Sequence, residues 1–319
     1  MGAPPSMRPA VPGGALTLRL SLRGHSTHVP TAWQDTAEPR RSSIDRRYCP
    51  TAQIAAGRGD LGRSRVRRKR PPSKNILKLR GLTVISIIIP TLDEEHWLPS
   101  LLDAIHQQRA AHEVIVVDGG SQDRTLEVAR GRGVRTLVSR PGRGAAISNG
   151  AEASRGDVLF FLHADSTLPS GALDRINEVL STDPNIIGGN FRLVFDGDTD
   201  FSRWLPGFYA LIRLLGFYYG DSGIFVRRSV YEALGGFRPI QLMEDWDFVR
   251  RLERFGRTCC IKDPPLVTSS RRFEGRHPLE IVYGWVRIHM LYWLGVSPDW
   301  LVEIYRTQMP PPQIQRPRV

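Results

Sequence analysis

The sequence predicts an α/β protein on a mostly parallel central sheet with helices on both faces, and three observations predict it. Between residues 84 and 180, four apolar or β-branched runs alternate with segments of helical period. The run Val158-Leu159-Phe160-Phe161-Leu162 is apolar at every position, the mark of a strand covered on both sides. That run breaks off in His163-Ala164-Asp165, polar groups where a parallel sheet offers ligands the crevice at its strands' carboxyl ends.

Each element has a local reason. Val84 to Ile89 reads as a buried strand stopped by Pro90, with Thr91 or Asp93 able to cap the helix that follows. That helix has Leu98, Leu101, Leu102 and Ile105 on one face. Glu113 to Asp118 is the second strand and 124–131 the second helix. Val134 to Val138 is the third strand, and a helix opened by Pro141-Gly142-Arg143-Gly144 runs to Ala153. The strand 157–162 and a helix over 171–180 complete the alternation. Beyond residue 185 the rhythm changes: a strand from Asn190 to Phe195, a helix over 201–215, a turn and strand over 219–226, a short helix at 229–234, and a helix from the Glu244-Asp245 pair to Phe255.

The 319 residues carry a net charge of +12, but the surplus is local. Residues 1–80 hold 17 Lys/Arg against 4 Asp/Glu, leaving 27 against 28 for the rest. A nucleic-acid partner inferred from overall charge would thus rest on a leader rich in Arg, Pro, Ser and Gly, whose composition predicts disorder. The leader reads as an organelle transit peptide, as a basic arm, or as sequence upstream of a misassigned start. Residues 81–306 read as one domain and 307–319 as a Pro-rich tail. Three cysteines, two of them adjacent, make neither a disulfide framework nor a zinc site, so a reducing, cytoplasmic compartment is the default, or an organelle if the leader is a true transit peptide.

Acids stand at three successive strand ends: Asp93, Asp118 and Asp165. In extended geometry His163 and Asp165 point the same way, an imidazole and a carboxylate suited to a divalent metal; the competing reading is a helix cap at Asp165 or Ser166. Arg140 and Arg143, flanking Gly142 and Gly144 at a helix start, suit a phosphate cradle or a solvated turn. Asp245 is a candidate general base, or with Glu244 a favourable charge at a helix N-terminus. The G-x-G-x-x-G, G-x-x-x-x-G-K-[ST], H-E-x-x-H and G-x-S-x-G patterns are absent, which removes the common dinucleotide, P-loop, zinc-protease and hydrolase signatures. Adjacent Glu244 and Asp245 cannot flank a glycosidic bond as a glycosidase pair must.

In order along the chain, Ile87-Ile88-Ile89-Pro90-Thr91-Leu92-Asp93-Glu94-Glu95, Val116-Val117-Asp118-Gly119-Gly120-Ser121-Gln122-Asp123, Leu162-His163-Ala164-Asp165 and Glu244-Asp245 resemble family-2 glycosyltransferases of the GT-A fold. Gly188 to Arg192, Tyr219-Gly220-Asp221, Leu242 to Asp245 and Ser269 to Glu274 resemble the bacterial rSAM/selenodomain-associated transferase 2 subgroup. The resemblance covers about residues 84–306 and implies an inverting transfer from a nucleotide-diphosphate sugar, assisted by Mn2+ or Mg2+. It implies a nucleotide-sugar site from Pro90, Thr91, Asp93, Glu95, Asp118, Gly119, Ser121, Arg140, Arg143, Gly144 and Ala164. It implies metal at Asp165 and His163, catalysis by Asp245 with Glu244, and an acceptor side at Gly189, Asp221, Arg271 and Arg272. His163 stands where the family's first D of D-x-D stands, and an imidazole suits Mn2+ better than Mg2+. The acceptor stays open among lipid, carotenoid-type acid, small metabolite and glycan. A sugar-nucleotide nucleotidyltransferase and a catalytically silent binder are the other readings. Finally, Leu279 to Leu294 is apolar and aromatic but too short and too charged to span a membrane. It reads as a helix packed across the acceptor cleft, or as one lying in a membrane interface for a peripheral contact.

Overall fold

A sheet of eight strands runs in the order β3-β2-β1-β4-β7-β6-β8-β5 in the computed structural model, which describes residues 83–273 and 275–308. The strands are β1 (Ile85–Thr91), β2 (His112–Asp118), β3 (Arg135–Val138), β4 (Val158–Phe161), β5 (Ser166–Thr167), β6 (Ile186–Phe195), β7 (Ile224–Arg227) and β8 (Arg257–Thr268). The leader 1–80 and the tail beyond residue 308 lie outside the described residues.

The first half is parallel as the alternation requires: β1 pairs β2 and β4, and β2 pairs β3. The second half is mixed. Strand β7 runs antiparallel to both β4 and β6, β8 is parallel to β6, and β5 is antiparallel to β8. Ser166 therefore starts a two-residue strand against Val267 and Thr268 instead of capping a helix. Pro90 does not stop β1 either, since the β2 ladder continues through Pro90 and Thr91 to Val117 and Asp118. By then β1 has left β4, whose register ends at Ile88 and Phe161. A proline that lacks a donor is tolerated at such a one-sided position.

Period-two alternation sorts β1 into two cores. Ile85, Ile87 and Ile89 pack with Leu98, Leu101 and Ile105 of α1 (Leu98–His106), with Ala129 of α2 (Thr125–Gly131) and with Leu173 and Ile176 of α4 (Ala172–Thr182). Ile88 packs on the other face with Ala146 and Ile147 of α3 (Arg143–Ala153), Val230 of α6 (Arg228–Ala233) and Phe248 and Val249 of α7 (Glu244–Phe255). Burying each such aliphatic side chain contributes about 1.5–3 kcal/mol, which is why a continuous apolar run is stable only between two helical layers. At α1, Thr91 and Asp93 do not act as caps: the residue before the helix is Trp97, with no side-chain cap.

Three more helices lie outside this sandwich. Helix α5 (Asp200–Leu214) is capped by the Thr199 hydroxyl, which accepts from Ser202 N–H at 3.1 Å. Helix α8 (Pro278–Trp293) buries Ile281, Gly284 and Ile288, so it is packed on the protein, and α9 (Pro298–Gln308) packs beside it. Its opposite face, with Leu279, Tyr283, Val286, Met290 and Trp293, is exposed. No described helix is long and apolar enough to cross a membrane.

Candidate active site

Parallel strands bring Asp93, Asp118 and Asp165 to the same carboxyl edge, where the loops after β1 and β2 are laced together. Asp93 N–H donates to Ser121 Oγ at 2.9 Å, and Asp93 Oδ1 accepts from Gln122 N–H at 2.7 Å. Glu94 N–H donates to Thr125 Oγ1 at 2.8 Å. Glu95 N–H donates to Asp123 Oδ2, and Glu95 Oε2 accepts from Arg124 N–H, both at 3.0 Å. Asp118 is buried; its Oδ2 takes the N–H groups of Gly120 and Ser121, and the Ser121 hydroxyl reaches its Oδ1. Thr91 is buried with its carbonyl accepting from Gly119 N–H at 2.9 Å. Asp93 sits at φ +56°, a left-handed conformation that Asp tolerates better than most residues.

Beside this lacing, one guanidinium joins two acids. Arg271 Nη2 lies 2.6 Å from Glu94 Oε1 and 3.1 Å from Asp165 Oδ2, with its Cζ 5.3 Å from the Trp97 ring centre. Glu94 Oε2 is buried without a partner. Burial raises the Glu94 carboxyl to about 7, even though Arg271 pulls it the other way. Arg272 is exposed and donates to Tyr305 Oη at 3.2 Å.

A second acid cluster forms where α7 begins. Met243, in the left-handed region at φ +66°, turns the chain into the helix. Asp245 Oδ2 then accepts from Gly220 N–H at 2.9 Å and its Oδ1 from Trp246 N–H at 2.8 Å. Glu244 is fully buried and paired with Arg143, whose Nη2 is also 3.7 Å from Asp245 Oδ2. Glu244 Oε2 has no partner, and burial raises its pKa despite the Arg143 charge. A small recess lies between Pro90, Phe161, His163, Gly220, Glu244 and Asp245. Asp118 and Asp165 share its sheet edge without lining it.

Several expected contacts fall elsewhere. His163 and Asp165 are not in extended geometry, because β4 ends at Phe161 and residues 164–165 form a turn. The two side chains accordingly meet different partners. A Cβ on Gly220 would lie 2.9 Å from His163 Nε2 and 3.4 Å from Asp245 Oδ2, so the imidazole faces the acid cluster at the start of α7 while Asp165 faces Arg271. Burial, reinforced by Arg143, Arg272 and Arg271, keeps His163 neutral, well below the usual imidazole range. Gly144 has a packing reason: a Cβ there would stand 2.7 Å from the Arg238 carbonyl oxygen and 2.8 Å from that of Ile240. Arg143 faces Glu244 and Asp245, while Arg140 is exposed. Ala164 belongs to the core. Gly189 is mid-strand, where a Cβ would meet the Cys259 carbonyl oxygen at 2.0 Å.

Asp221 is the residue whose surroundings the sequence least prepared. Its Oδ2 accepts from Tyr209 Oη at 2.7 Å, and its Oδ1 is buried without a partner. Burial raises its carboxyl to about 6, with the Asp245 charge adding to the rise and the Tyr209 hydrogen bond opposing it. Nearby, Tyr219 Oη lies 3.0 Å from His289 Nε2, and the His289 ring centre is 4.7 Å from that of Trp246. Sequence reasoning missed Glu94, Tyr209, Tyr219, Trp246 and His289 as members of the site. Two of them had a signal: Glu94 in the acid run after β1, and Tyr219 in the Tyr219-Gly220-Asp221 motif.

Could these residues hold a divalent cation? Among the described residues, no three His, Cys, Asp or Glu side chains are grouped to hold one unaided. Asp165 offers one hard carboxylate oxygen beside a buried, partnerless Glu94 oxygen. That set fits a cation whose shell is completed by phosphate oxygens and water, the usual way Mg2+ is held.

The chain is similar to several known proteins. The profile of "Glycosyl transferase family 2" matches residues 86–234. A "PGL/p-HBAD biosynthesis glycosyltransferase" of Mycobacterium bovis BCG is 33% identical over 199 residues, 58% of this chain and 72% of that protein. A dolichyl-phosphate beta-glucosyltransferase of Drosophila melanogaster is 31% identical over 178 residues, 48% of this chain and 53% of the relative. Among solved structures, the mannosyltransferase PcManGT of Pyrobaculum calidifontis, in complex with GDP-Man and Mn2+, aligns at TM-score 0.49 and 18% identity, covering 71% of this chain and 73% of that one. The mixed sheet and its flanking helices are those of the GT-A-type nucleotide-diphospho-sugar transferase fold. The chain belongs to glycosyl transferase family 2, and it is a glycosyltransferase.

Proposed function

We propose that the chain catalyses inverting transfer of a sugar from a nucleotide-diphosphate sugar to a hydroxyl or carboxyl acceptor, with help from Mn2+ or Mg2+. The observation that carries this reading is Asp245, a carboxylate fixed by two main-chain N–H groups at a helix start and opening on a recess shared with His163 and Pro90. A base must stand within hydrogen-bond reach of the proton it removes, and a rigid carboxylate at a sheet's carboxyl edge meets that need. In this mechanism Asp245 accepts the acceptor's proton as the acceptor oxygen bonds to the anomeric carbon, and the nucleoside diphosphate departs from the opposite face. Glu244 holds Arg143 against Asp245, keeping cationic charge beside the reacting centre. The laced loops carrying Asp93, Asp118 and Ser121 receive the nucleoside, and Asp165 faces the diphosphate. Asp165 would hold a divalent cation there, which would supply positive charge against the departing diphosphate.

Within the family, the Gly188 to Arg192, Tyr219 to Asp221 and Leu242 to Asp245 motifs support membership of the rSAM/selenodomain-associated transferase 2 subgroup. A reducing, cytoplasmic setting is supported by the adjacent thiols Cys259 and Cys260 of β8. The test is a thermal-shift panel of nucleotide sugars with and without Mn2+, followed by donor hydrolysis. At least one nucleotide sugar should raise the melting temperature, and Asp165→Ala should abolish the cation-dependent part of the rise. A panel in which no donor shifts the wild-type protein with either cation would overturn the reading.

A further inference from the structure

Helix α8 reaches the candidate base through one polar side chain, His289. Asp245 is fixed by two main-chain donors, Gly220 N–H at 2.9 Å on Oδ2 and Trp246 N–H at 2.8 Å on Oδ1. The side chains beside those donors are Tyr219 and Trp246, and His289 touches both. Tyr219 Oη lies 3.0 Å from His289 Nε2. The imidazole meets the Tyr219 and Trp246 rings edge-on, with centres at 5.9 and 4.7 Å and planes at 80° and 82°. Tyr219 and Trp246 are themselves stacked, 5.7 Å apart at 20°. Apolar packing has no direction, so a stacked pair slides at little cost, whereas a hydrogen bond at its edge fixes one lateral position. The tautomer is set on the far side of the imidazole. His289 Nδ1 lies 2.8 Å from the Trp285 carbonyl oxygen, one turn back in α8, so Nδ1 carries the proton and Nε2 accepts from the Tyr219 hydroxyl. Burial holds His289 below the usual imidazole range, against the pull of the Trp285 bond and the Asp245 charge, and so keeps it a neutral acceptor.

We propose that His289 is a positioning residue for Asp245: it locks Tyr219 and Trp246 in place, and through them the two N–H groups that aim the carboxylate. The inference rests on the transferase reading, in which Asp245 takes the acceptor's proton. His289 acts through its neighbours and not on substrate, since both ring nitrogens are engaged within the protein. Its own anchor is firm. Ile288, the residue before it, is buried in one apolar cluster with Met243, Trp246 and Leu301. Met243 is the left-handed residue that turns the chain into α7, so α8 braces the start of the helix from which Asp245 projects. An apolar side chain at position 289 would fill the same space but leave the Tyr219 hydroxyl without its acceptor. A polar ring in this aromatic setting is therefore explained by direction rather than by burial. The stake is large, because a reacting group misplaced by about 1 Å costs about 100-fold in rate.

Steady-state donor hydrolysis by the full chain, with water as the acceptor and a donor found by thermal shift, tests this. His289→Leu keeps the bulk and removes the acceptor; its kcat should fall about 10- to 100-fold with the donor KM within about twofold of wild type. His289→Gln offers an amide oxygen to the Tyr219 hydroxyl and should bring turnover back to within about threefold of wild type. Tyr219→Phe, which removes one oxygen atom, should match the His289→Leu loss, and the two together should cost no more than either alone. The nucleotide-sugar thermal shift should persist in every variant, which shows the fold and the donor site intact. The proposal is overturned if the loss in His289→Leu appears in the donor KM, or if His289→Gln is as slow as His289→Leu, which would reduce the imidazole to packing. A wild type that turns over no donor fells the transferase reading and this inference together. Wild-type turnover that survives His289→Leu undiminished fells this inference alone.

Discussion

The loops after β1 and β2 and the start of α7 both concentrate acids at one sheet edge, and they treat those acids in opposite ways. In the loops, Asp93, Glu95, Asp118 and Asp123 each accept main-chain N–H groups, and so stitch two turns into one rigid shelf. Around α7, buried Glu244 and half-buried Asp221 each have a buried oxygen that meets no partner, and desolvation raises both carboxyls. Glu94 is the exception that joins the regions, lying in the shelf by its amide and in the strained set by its carboxylate. A carboxylate satisfied by amides fixes a shape, whereas one stripped of water and partners is held at a cost that a ligand can relieve.

The largest expected effect tests this division directly. Asp245→Asn keeps an oxygen for the Gly220 N–H, though not for the Trp246 N–H as well, and cannot take a proton, so turnover should fall about 100- to 10,000-fold while stability drops by no more than about 1–2 kcal/mol. Asp93→Asn is the contrasting change: it keeps the bond to Gln122 N–H and tolerates the left-handed backbone, so its turnover should stay within a few-fold of wild type. Single-turnover rates with a donor found in the thermal-shift panel would decide, and a comparable loss in both variants would erase the distinction.

Arg143→Met follows in size. It leaves buried Glu244 without its counterion beside Asp245. Because the Arg143 side chain is 33% exposed, the destabilisation should be about 2–4 kcal/mol, below the full cost of orphaning a buried charge. Adding Glu244→Gln should recover most of that loss in denaturant titrations. A cost that persists in the double variant would assign Arg143 a packing role instead.

How much of this was legible depends on distance along the chain. The four early strands and the Leu98, Leu101, Leu102, Ile105 face of α1 rest on local period, and the fold confirms them. Strand β5 escaped because two residues, Ser166 and Thr167, carry no period and look like a cap. The ion pair of Arg271 with Glu94 joins residues 177 positions apart, and nothing local announces it. Gly144 read as open backbone for an anion, but the backbone of Arg238 and Ile240 fills that space. Tyr209, Tyr219 and His289 belong to segments whose orientation is set only when α5 and α8 dock. Local pattern therefore yields the shelf well and the strained cluster poorly, because the cluster is made of long-range neighbours.

Acid–base linkage separates the two regions next. Asp221 has an ordinary value of 3.8 and a folded value of about 6. Below the lower value both states are protonated; between the two the unfolded chain ionises first, so stability falls as pH rises through this window and stays reduced above it. Glu94 acts in the same sense between 4.5 and about 7. Asp221→Asn keeps an acceptor for the Tyr209 hydroxyl and removes the charge. It should be more stable than wild type by about 1–2 kcal/mol at pH near 8 and indistinguishable near pH 4. Thermal melts across that range would show it, and an equal difference at both ends would exclude titration as the cause.

The smallest effect belongs to the shelf. Thr125 is fully buried, accepts the Glu94 N–H and donates to Asp123 Oδ1. Thr125→Val keeps the shape but orphans that N–H, for about 1–2 kcal/mol. It should also alter the acid limb. Asp123 is partly desolvated, yet the Thr125 hydroxyl and nearby main-chain N–H groups hold its carboxyl below the usual range. A depressed carboxyl stabilises the fold above its unfolded value and loses that contribution as pH falls through the folded one. Without the Thr125 hydroxyl that contribution shrinks, so the variant's deficit should be widest at neutral pH and narrow toward pH 3. This is the reverse of the Asp221→Asn trend, and melts of the two variants in one buffer series would read both. Were the two trends to run in the same direction, the acids of the shelf and of the cluster would be doing one job, not two.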